Sequence, residues 1–176
     1  MDDLVTGLRA GDERALRTAY ERHKQDVLAV AAAVLGRASA AGDAWDVLHD
    51  VFIAVARTAR SLRPDTNLRA YLTRAAANRA RDRHRVRSTA EVADDVPAGD
   101  TTTILDRIER DEEVAALWRV VAELPEEQRV VVALRVWGDL SFREIAEEQS
   151  ISENTAQSRY RYALDKLRRH YEGVER

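Results

Sequence analysis

The 176-residue sequence contains no cysteine and only seven glycines and three prolines. The lack of cysteine excludes disulfides, zinc–thiolate sites and thiol catalysis. No apolar run approaches the ~20 residues of a membrane-spanning helix, and the N-terminal stretch MDDLVTGLRAGDE lacks the basic and then apolar pattern of a secretory signal. These absences favour a cytoplasmic protein that does not insert into a membrane.

Helix-favouring residues fill the sequence instead, because alanine, leucine, arginine and glutamate are plentiful. Hydrophobic residues make up 45% and charged residues 34% of the chain, as in soluble globular proteins. The length suggests one domain or two small ones. The predicted fold class is therefore all-α, with two small helical domains joined by a flexible acidic linker and a helix-turn-helix in the second.

Three helices are predicted before the middle of the chain. Apolar residues at helical spacing predict the first over residues 11–35, with Gly36 as its stop. The second begins near Asp43, whose carboxylate is suited to cap it. Pro64 marks a loop, and a third helix runs from about Leu68.

A change of composition marks the boundary between the domains. The stretch STAEVADDVPAGDTTT, residues 88–103, contains four acids, no base and no apolar period. Such a segment has little reason to fold alone, so it is predicted to be the linker. It divides a first domain, residues 1–87, from a second, residues 104–176, which opens with an amphipathic helix over residues 104–121.

Helix-capping signals organise the second domain further. In LPEEQRVVVALRVWGD a helix is predicted with Pro125 at its first position and Gly138 as its end. In SFRE, Ser141 and Glu144 have the spacing of a capping box, so a short helix starts there.

A helix-turn-helix is predicted from this short helix onward. The short helix ends near Gln149, a tight turn follows, and Ser152 caps the last helix. Four residues of the last helix are expected to face a core: Tyr160, Ala163, Leu164 and Leu167. Polar side chains near its start suit base edges and phosphates: Thr155, Gln157, Ser158, Arg159 and Arg161. The layout is typical of major-groove DNA binding, although a three-helix bundle with a solvated polar face has the same pattern.

The chain resembles a known family at this point. LPEEQRVVVALRVWGDLSFREIAEEQSISENTAQSRYRYALDKLRR resembles region 4, the promoter −35-binding domain, of bacterial extracytoplasmic-function (ECF) sigma factors. Earlier in the chain, AWDVLHDVFIAVA resembles their region 2.2, and LRAYLTRAAANRARDRHR resembles their regions 2.3 and 2.4. Two separate motifs thus occur in the family's order, and with the linker they cover almost the whole chain.

The resemblance implies a factor that binds core RNA polymerase, directs it to promoters and helps open the −10 element. The implied polymerase contacts are the clamp helices and the flap. Carried over by position, the residues that face the clamp are Asp46, His49, Asp50 and Phe52. The acids suit a basic surface, because complementary charge steers association, whereas Phe52 fits a core position equally well.

The promoter contacts are carried over in the same way. The −10 surface falls on the third helix, at Asn78, Arg81, Asp82, Arg83 and Arg85. The family also uses the preceding loop, here about Ser61–Asn67, to hold a base flipped out of the stack. Tyr71 is expected to support helix packing rather than to contact the opened strand. The −35 surface is the set of polar residues at the start of the last helix.

Some positions depart from the family pattern, and they bear on promoter sequence more than on fold. They are Trp45, Ala75, Arg79, Arg81, Ser150, Asn154, Ala156 and Gln157. Six arginines crowd residues 74–87, and on a helical wheel Arg74, Arg81 and Arg85 fall together. Arg79 is expected on the buried side, with its stem snorkelling or its guanidinium paired with a carboxylate.

Three other functions fit parts of the sequence. A helix-turn-helix transcription regulator would bind DNA without joining polymerase. A phosphohydrolase would use the pair His49–Asp50 as metal ligands, but further ligands in a recognisable motif are missing, so no enzyme, metal or cofactor is predicted. An interaction module would serve chiefly to be held by an anti-sigma factor, which the family resemblance implies as a further partner.

Overall fold

The computed structural model describes residues 3–36, 41–90 and 120–174, and these residues are helical apart from short turns and loops. The helices are, in chain order, α1 (Asp3–Ala10), α2 (Glu13–Leu35), α3 (Ala41–Thr58), α4 (Leu68–Ala90), α5 (Glu126–Val136), α6 (Phe142–Gln149) and α7 (Glu153–Val174). A 3₁₀ turn, Ala59–Ser61, follows α3. The expected all-α fold class, with two helical regions, is confirmed.

Helix α2 lies at the centre of the first region and packs against α1, α3 and α4. It begins after Asp12, whose carboxylate accepts a hydrogen bond from the Arg14 N–H at 2.8 Å. It ends at Gly36, where φ is 73° and the N–H donates to the Ala32 carbonyl at 3.0 Å. A side chain would strain the backbone at this φ, so the predicted glycine stop is confirmed.

Sequence analysis missed α1, which is eight residues long. Its apolar residues Leu4, Val5 and Leu8 are buried, and the helix contacts α2 and the 3₁₀ turn. Leu4 and Leu8 have helical spacing, but a helix this short gives too few apolar positions for a period to stand out.

The second region consists of α5, α6 and α7, with α7 packed against both of the others. Three boundary predictions shift slightly. Helix α3 begins at Ala41, so Asp43 lies in its first turn and not at its cap. Pro125 occupies the N-cap of α5 instead of the first helical position, and α5 ends at Val136, two residues before Gly138.

Leu164 differs from the prediction more clearly. Ala163 and Leu167 are buried as expected, but 44% of Leu164 is exposed. The small second region buries one narrow side of α7, so an apolar residue one position past Ala163 falls outside it.

Much of the predicted linker and of the helix that follows it lies outside the described residues. Residues 88–90, placed in the linker by sequence, form the end of α4. Of the predicted helix over residues 104–121, the structure describes only the last residues, and the chain is helical at 120–122.

The two helical regions contact each other through α2 and α5. Arg129 of α5 is only 8% exposed. Its Nε donates to the Ala33 carbonyl of α2 at 2.7 Å, and its Nη1 donates to the Leu124 carbonyl at 3.0 Å. The last carbonyls of a helix lack partners within it and carry the negative end of its dipole, so a buried cation is well placed there.

We expect Gly138→Ala to lower the free energy of unfolding by about 1–3 kcal/mol, as other overpacked sites do. An added Cβ would overlap the Leu134 carbonyl oxygen and lie 2.8 Å from Leu140 Cδ1. Urea unfolding measures the change. Gly42→Ala is the control, since its Cβ would meet no atom within 4 Å and alanine favours a helix. Equal stabilities for the two variants would contradict this packing.

We expect Ser150→Gly to raise the free energy of unfolding by roughly 0.5–1 kcal/mol. Ser150 ends α6 in the left-handed conformation, with φ 53° and ψ 44°, where side chains cost ~1–2 kcal/mol and glycine is preferred. Glycine also increases the conformational entropy of the unfolded chain, and this offsets part of that gain. Thermal unfolding of Ser150→Gly beside Ser150→Ala tests this, because alanine keeps the strain and should bring no gain.

Candidate nucleic-acid and protein interfaces

The helix-turn-helix is held by two caps and a small core. Both hydrogen bonds of the predicted capping box are present: the Ser141 N–H donates to Glu144 Oε2 at 2.8 Å, and the Glu144 N–H donates to Ser141 Oγ at 3.2 Å. At the start of α7 the Thr155 N–H donates to Ser152 Oγ at 3.1 Å, so the cap at Ser152 is also confirmed. Ile145 of α6 is fully buried.

The candidate −35 residues lie in the first turns of α7. Gln157 and Arg161 are exposed, and they are four residues apart on one side of the helix. Thr155, Ser158 and Arg159 are partly buried. The fold therefore leaves a glutamine and an arginine available for base edges, beside hydroxyl groups at a helix start.

Arg159 points in a different direction from these two. Its Nη2 lies 3.9 Å from Glu127 Oε1 of α5, and its side chain is 26% exposed. Gln157 Nε2 donates to Glu153 Oε1 at 3.3 Å within α7. Arg159 is thus turned partly toward α5, which sequence reasoning could not foresee.

Four of the five candidate −10 residues line one cleft. Asn78, Arg81, Asp82 and Arg85 share a cavity of ≈ 490 Å³ with Val34 and Glu126. Arg81 Nη1 donates to Asn78 Oδ1 at 2.8 Å, and Arg85 Nη2 donates to Asp82 Oδ1 at 3.1 Å. The cleft combines amide and guanidinium groups with acids that hold them in place.

Arg83 lies on the other side of α4, where it contacts α3. Its Nη1 donates to Asp46 Oδ2 at 3.0 Å and its Nη2 to Asp50 Oδ2 at 3.1 Å. Partial burial alone would lower the pKa of the Arg83 guanidinium, but the hydrogen bonds to Asp46 and Asp50 outweigh it and raise that pKa above its usual value. A candidate −10 residue therefore pairs with two candidate polymerase contacts.

Arg79 belongs to the same cluster. The expectation that it falls on the buried side is wrong, because its side chain is 46% exposed. Its Nη1 lies 3.9 Å from Asp50 Oδ2, so the carboxylate pairing considered from the sequence is the one that the structure contains. The acids of α3 supply a charged partner that a helical wheel of α4 alone does not show.

The candidate polymerase face lies on α3. Asp46 and His49 are exposed and Asp50 is partly exposed. Phe52 does not fit the expectation of a direct contact, since it is only 7% exposed. Its ring packs edge-on against Tyr20 at 5.1 Å between centroids, because it continues the apolar side of α3 that faces α2.

Ile53 is a large apolar residue that α3 exposes, at 50% of its surface. It lies on the side of a shallow cavity of ≈ 580 Å³ whose lining includes Leu16, Tyr20, His49, Phe52 and Ala56. Sequence reasoning missed Ile53. Its spacing of four residues from His49 was the available signal, since such pairs share one side of a helix.

A further cavity lies beside the loop between the 3₁₀ turn and α4. It measures ≈ 620 Å³ and is lined by Arg22, His23, Pro64, Asp65, Thr66, Asn67, Leu68 and Arg69. His23 is buried, with Nδ1 3.7 Å from Asp26 Oδ2, and Arg69 Nε lies 2.9 Å from the same oxygen. The loop singled out by sequence thus borders a real cavity, to which α2 adds a histidine and an arginine that were not predicted.

Tyr71, expected to support helix packing, has an exposed side chain. It is 36% exposed at the first turn of α4. Leu68 and Leu72, its neighbours on α4, are buried.

Two ion pairs connect α4 to α6. Arg74 Nη2 lies 2.7 Å from Glu144 Oε1, and Arg81 Nη1 lies 2.9 Å from Glu148 Oε1. The Ser141 N–H lowers the pKa of the Glu144 carboxyl below its usual value, against the effect of burial, and the Ser141 hydroxyl and Arg74 lower it further. Glu144 is therefore held ionised toward α4.

Metal ligands and membrane spans were also sought. Within the described ranges, no three histidine, aspartate or glutamate side chains cluster as metal ligands. None of the described helices combines the length and hydrophobicity needed to cross a bilayer.

Both helical regions match models of known protein families. Residues 19–89 match the family model Sigma-70 region 2, and residues 115–167 match Sigma-70, region 4. The candidate clamp and −10 residues fall within the first match, and the helix-turn-helix falls within the second.

Individual relatives agree with the family models. The ECF RNA polymerase sigma factor RpoE of Cereibacter sphaeroides is 45% identical over 65 residues, which are 37% of this chain and 36% of that protein. The ECF RNA polymerase sigma factor SigM of Mycobacterium tuberculosis is 29% identical over 95% of this chain and 82% of its own length. The ECF RNA polymerase sigma-E factor of Escherichia coli is 27% identical over 89% of this chain and 86% of its own length.

The fold is also found in a solved structure. It is the structure of CnrH in complex with the cytosolic domain of CnrY. The match covers 97% of this chain and 96% of that chain, with a TM-score of 0.61 and 23% sequence identity. With regions 2 and 4 in order along one chain, the protein belongs to the sigma-70 family as an ECF sigma factor.

Proposed function

We propose that this sigma factor joins core RNA polymerase through α3, holds the −10 element with α4 and the loop before it, and reads the −35 element with the first turns of α7. Factors of this family direct RNA polymerase to promoters. The observation that carries the assignment is the arginine-lined cleft of α4 in the region 2 match, followed by a capped helix-turn-helix in the region 4 match.

The α3 surface supports the polymerase contact. Asp46 and His49 are exposed beside Ile53, so acidic and apolar groups share one side of the helix. A basic partner surface with an apolar patch, as we propose for the polymerase clamp helices, would complement it in charge and bury Ile53. Phe52 supports this surface from beneath. The flap is proposed as the partner of the second region.

The α4 cleft and the neighbouring loop support binding of opened DNA. Asn78, Arg81 and Arg85 offer donors along the cleft, and single strands are held by positive grooves that follow the backbone. The loop cavity is of a size to receive an extruded base, with His23 and Arg69 at its wall. Asp82 positions Arg85 in this arrangement.

The start of α7 supports reading of duplex DNA. Gln157 and Arg161 are the exposed side chains that pair well with base edges and phosphates. Thr155 and Ser158 add hydroxyl groups at the positive end of the helix dipole, where phosphates bind. Arg159 would have to break its contact with Glu127 before it could contact DNA, and breaking that contact costs electrostatic energy.

The other functions are less well supported. A helix-turn-helix regulator acting without polymerase would leave the region 2 match over residues 19–89 without a role. We propose that the protein acts without catalysis or cofactor of its own, in the cytoplasm where polymerase works. CnrH was solved with the cytosolic domain of CnrY, and a comparable anti-sigma factor is proposed as a further partner here.

Transcription with purified core polymerase tests the proposal. Core enzyme alone and the factor alone should leave a promoter library silent, whereas the two together should transcribe a specific subset. Pull-down with core enzyme is the independent measurement. Failure to bind core would overturn the proposal and favour the regulator.

We expect Gln157→Ala to weaken discrimination at one −35 base pair by about 1–3 kcal/mol, since a base-contacting pair is worth that much. Arg159→Ala should have a smaller effect, because Arg159 lies partly against Glu127. Competition between promoter variants measures both, with exposed Lys166→Ala on the same helix as the control. Unchanged base preference in Gln157→Ala would contradict the assignment of α7.

We expect Asn78→Ala to reduce transcription more than binding to core polymerase, and Asp50→Asn to reduce core binding and, through it, transcription at limiting core enzyme. Asn78 lies in the α4 cleft, whereas Asp50 lies on the α3 side. Fluorescence anisotropy measures core binding, and run-off transcription measures promoter activity, so the two effects can be separated. Glu21→Gln, an exposed acid paired with Lys24 on α2, is the control. Equal loss of core binding in Asn78→Ala and Asp50→Asn would contradict the division.

A further inference from the structure

Arg83 is the candidate −10 residue that does not line the α4 cleft. Its guanidinium reaches α3 instead: Nη1 donates to Asp46 Oδ2 at 3.0 Å, and Nη2 donates to Asp50 Oδ2 at 3.1 Å. Both acids are candidate polymerase contacts. The hydrogen bonds of Arg83 therefore lie on the side of α4 that faces the polymerase-binding helix, and not on the side proposed for DNA.

A guanidinium suits this position because two carboxylates have to be held at once. Asp46 and Asp50 are four residues apart on α3, and like charges at that spacing repel each other. The planar fork of an arginine offers separate N–H donors to two acceptors, which the compact ammonium of a lysine does not match. Arg83 thus offsets the repulsion between the two acids and restrains how far apart they lie.

Both acids stay open to a partner while they are held. The side chain of Asp46 is 59% exposed, and that of Asp50 is 37% exposed. Both hydrogen bonds use the Oδ2 atom, so the Oδ1 atom of each carboxylate lies outside these two bonds and can accept from a basic partner. Arg83 therefore keeps the carboxylates in one geometry without covering them.

The arginines of α4 also balance the charge of this surface. Arg79 Nη1 lies 3.9 Å from Asp50 Oδ2, and Arg79 and Arg83 are four residues apart, so both project toward α3. Two arginines then face two aspartates, and these four side chains together carry no net charge. Long-range attraction of a basic partner by this cluster is therefore weak, and its contribution to binding depends on the short-range geometry that Arg83 restrains.

We propose that Arg83 is a positioning residue of the polymerase-binding surface and not a contact to −10 DNA. From α4 it braces Asp46 and Asp50, so that both carboxylates meet the basic surface of the clamp helices without first losing side-chain freedom on binding. The inference rests on the proposed function, because it presumes that α3 binds core polymerase. Its loss should appear chiefly in how long the complex with polymerase lasts.

The rates of core binding test this role, measured by fluorescence anisotropy of a dye-labelled factor with purified core polymerase. Arg83→Ala should dissociate faster by about 2–30-fold, the range expected when two ion pairs of modest strength no longer restrain the acids. Its association should be unchanged or slightly faster, because the surface gains net negative charge toward a basic partner. Loss of folded protein would instead slow association, since fewer molecules could bind.

Three matched comparisons keep this measurement specific. Arg83→Lys keeps the charge but engages one carboxylate at a time, so its dissociation rate should fall between those of the unchanged protein and Arg83→Ala. Arg9→Ala removes an exposed arginine of α1 and should change neither rate. When Asp46→Asn and Asp50→Asn are already present, adding Arg83→Ala should no longer speed dissociation, because Arg83 acts through these acids.

Run-off transcription separates positioning from DNA contact. At limiting core enzyme, Arg83→Ala should give less transcript than the unchanged protein. Saturating core enzyme should restore the full amount, because the α4 cleft is intact in this variant. Asn78→Ala, which alters the cleft itself, should stay impaired at saturating core enzyme.

The outcomes distinguish this inference from the proposed function. Unchanged or slower dissociation of Arg83→Ala, or transcription that stays low at saturating core enzyme, would overturn the positioning role even if the unchanged protein binds core polymerase and transcribes. An unchanged protein that never binds core polymerase would overturn the proposed function itself, and the positioning role with it.

Discussion

The hydrogen bond from the Arg129 guanidinium to the Ala33 carbonyl fixes how the two regions of the chain meet. A buried guanidinium is tolerated only where acceptors surround it, and the end of α2 supplies a carbonyl oxygen at 2.7 Å. Gly36 is part of the same arrangement, since a Cβ there would lie 2.9 Å from Arg129 Nη2. Because α2 also packs against α3 and α4, the placement of α5 on α2 determines which residues of the second region face α4.

Local signals in the sequence predicted the elements that depend on neighbours a few residues away. The capping box at Ser141 and Glu144, the glycine stop at Gly36 and the start of α4 near Leu68 are confirmed because each is decided within one turn of chain. Exposure was harder to predict, since it depends on what packs against a helix. Leu164 has an apolar side chain but lies outside the narrow buried side of α7, and Tyr71 lies on the solvent side of the first turn of α4.

The candidate surfaces show the same limit. Gln157 and Arg161 could be found from the sequence, because the cap at Ser152 fixes the start of α7. The burial of Phe52 could not, because it depends on the Tyr20 ring of α2, whereas the exposure of Ile53 had a signal in its spacing from His49. The pairs that join Arg74 to Glu144 and Arg81 to Glu148 are also beyond a single sequence, since their partners lie about 70 residues apart along the chain.

Glu144 uses its two carboxylate oxygens for different tasks. Oε2 accepts from Ser141 at the start of α6, and Oε1 accepts from Arg74 of the other region. The cap is made within one turn of chain, so α6 keeps its N-terminal cap whether or not the pair with Arg74 is formed.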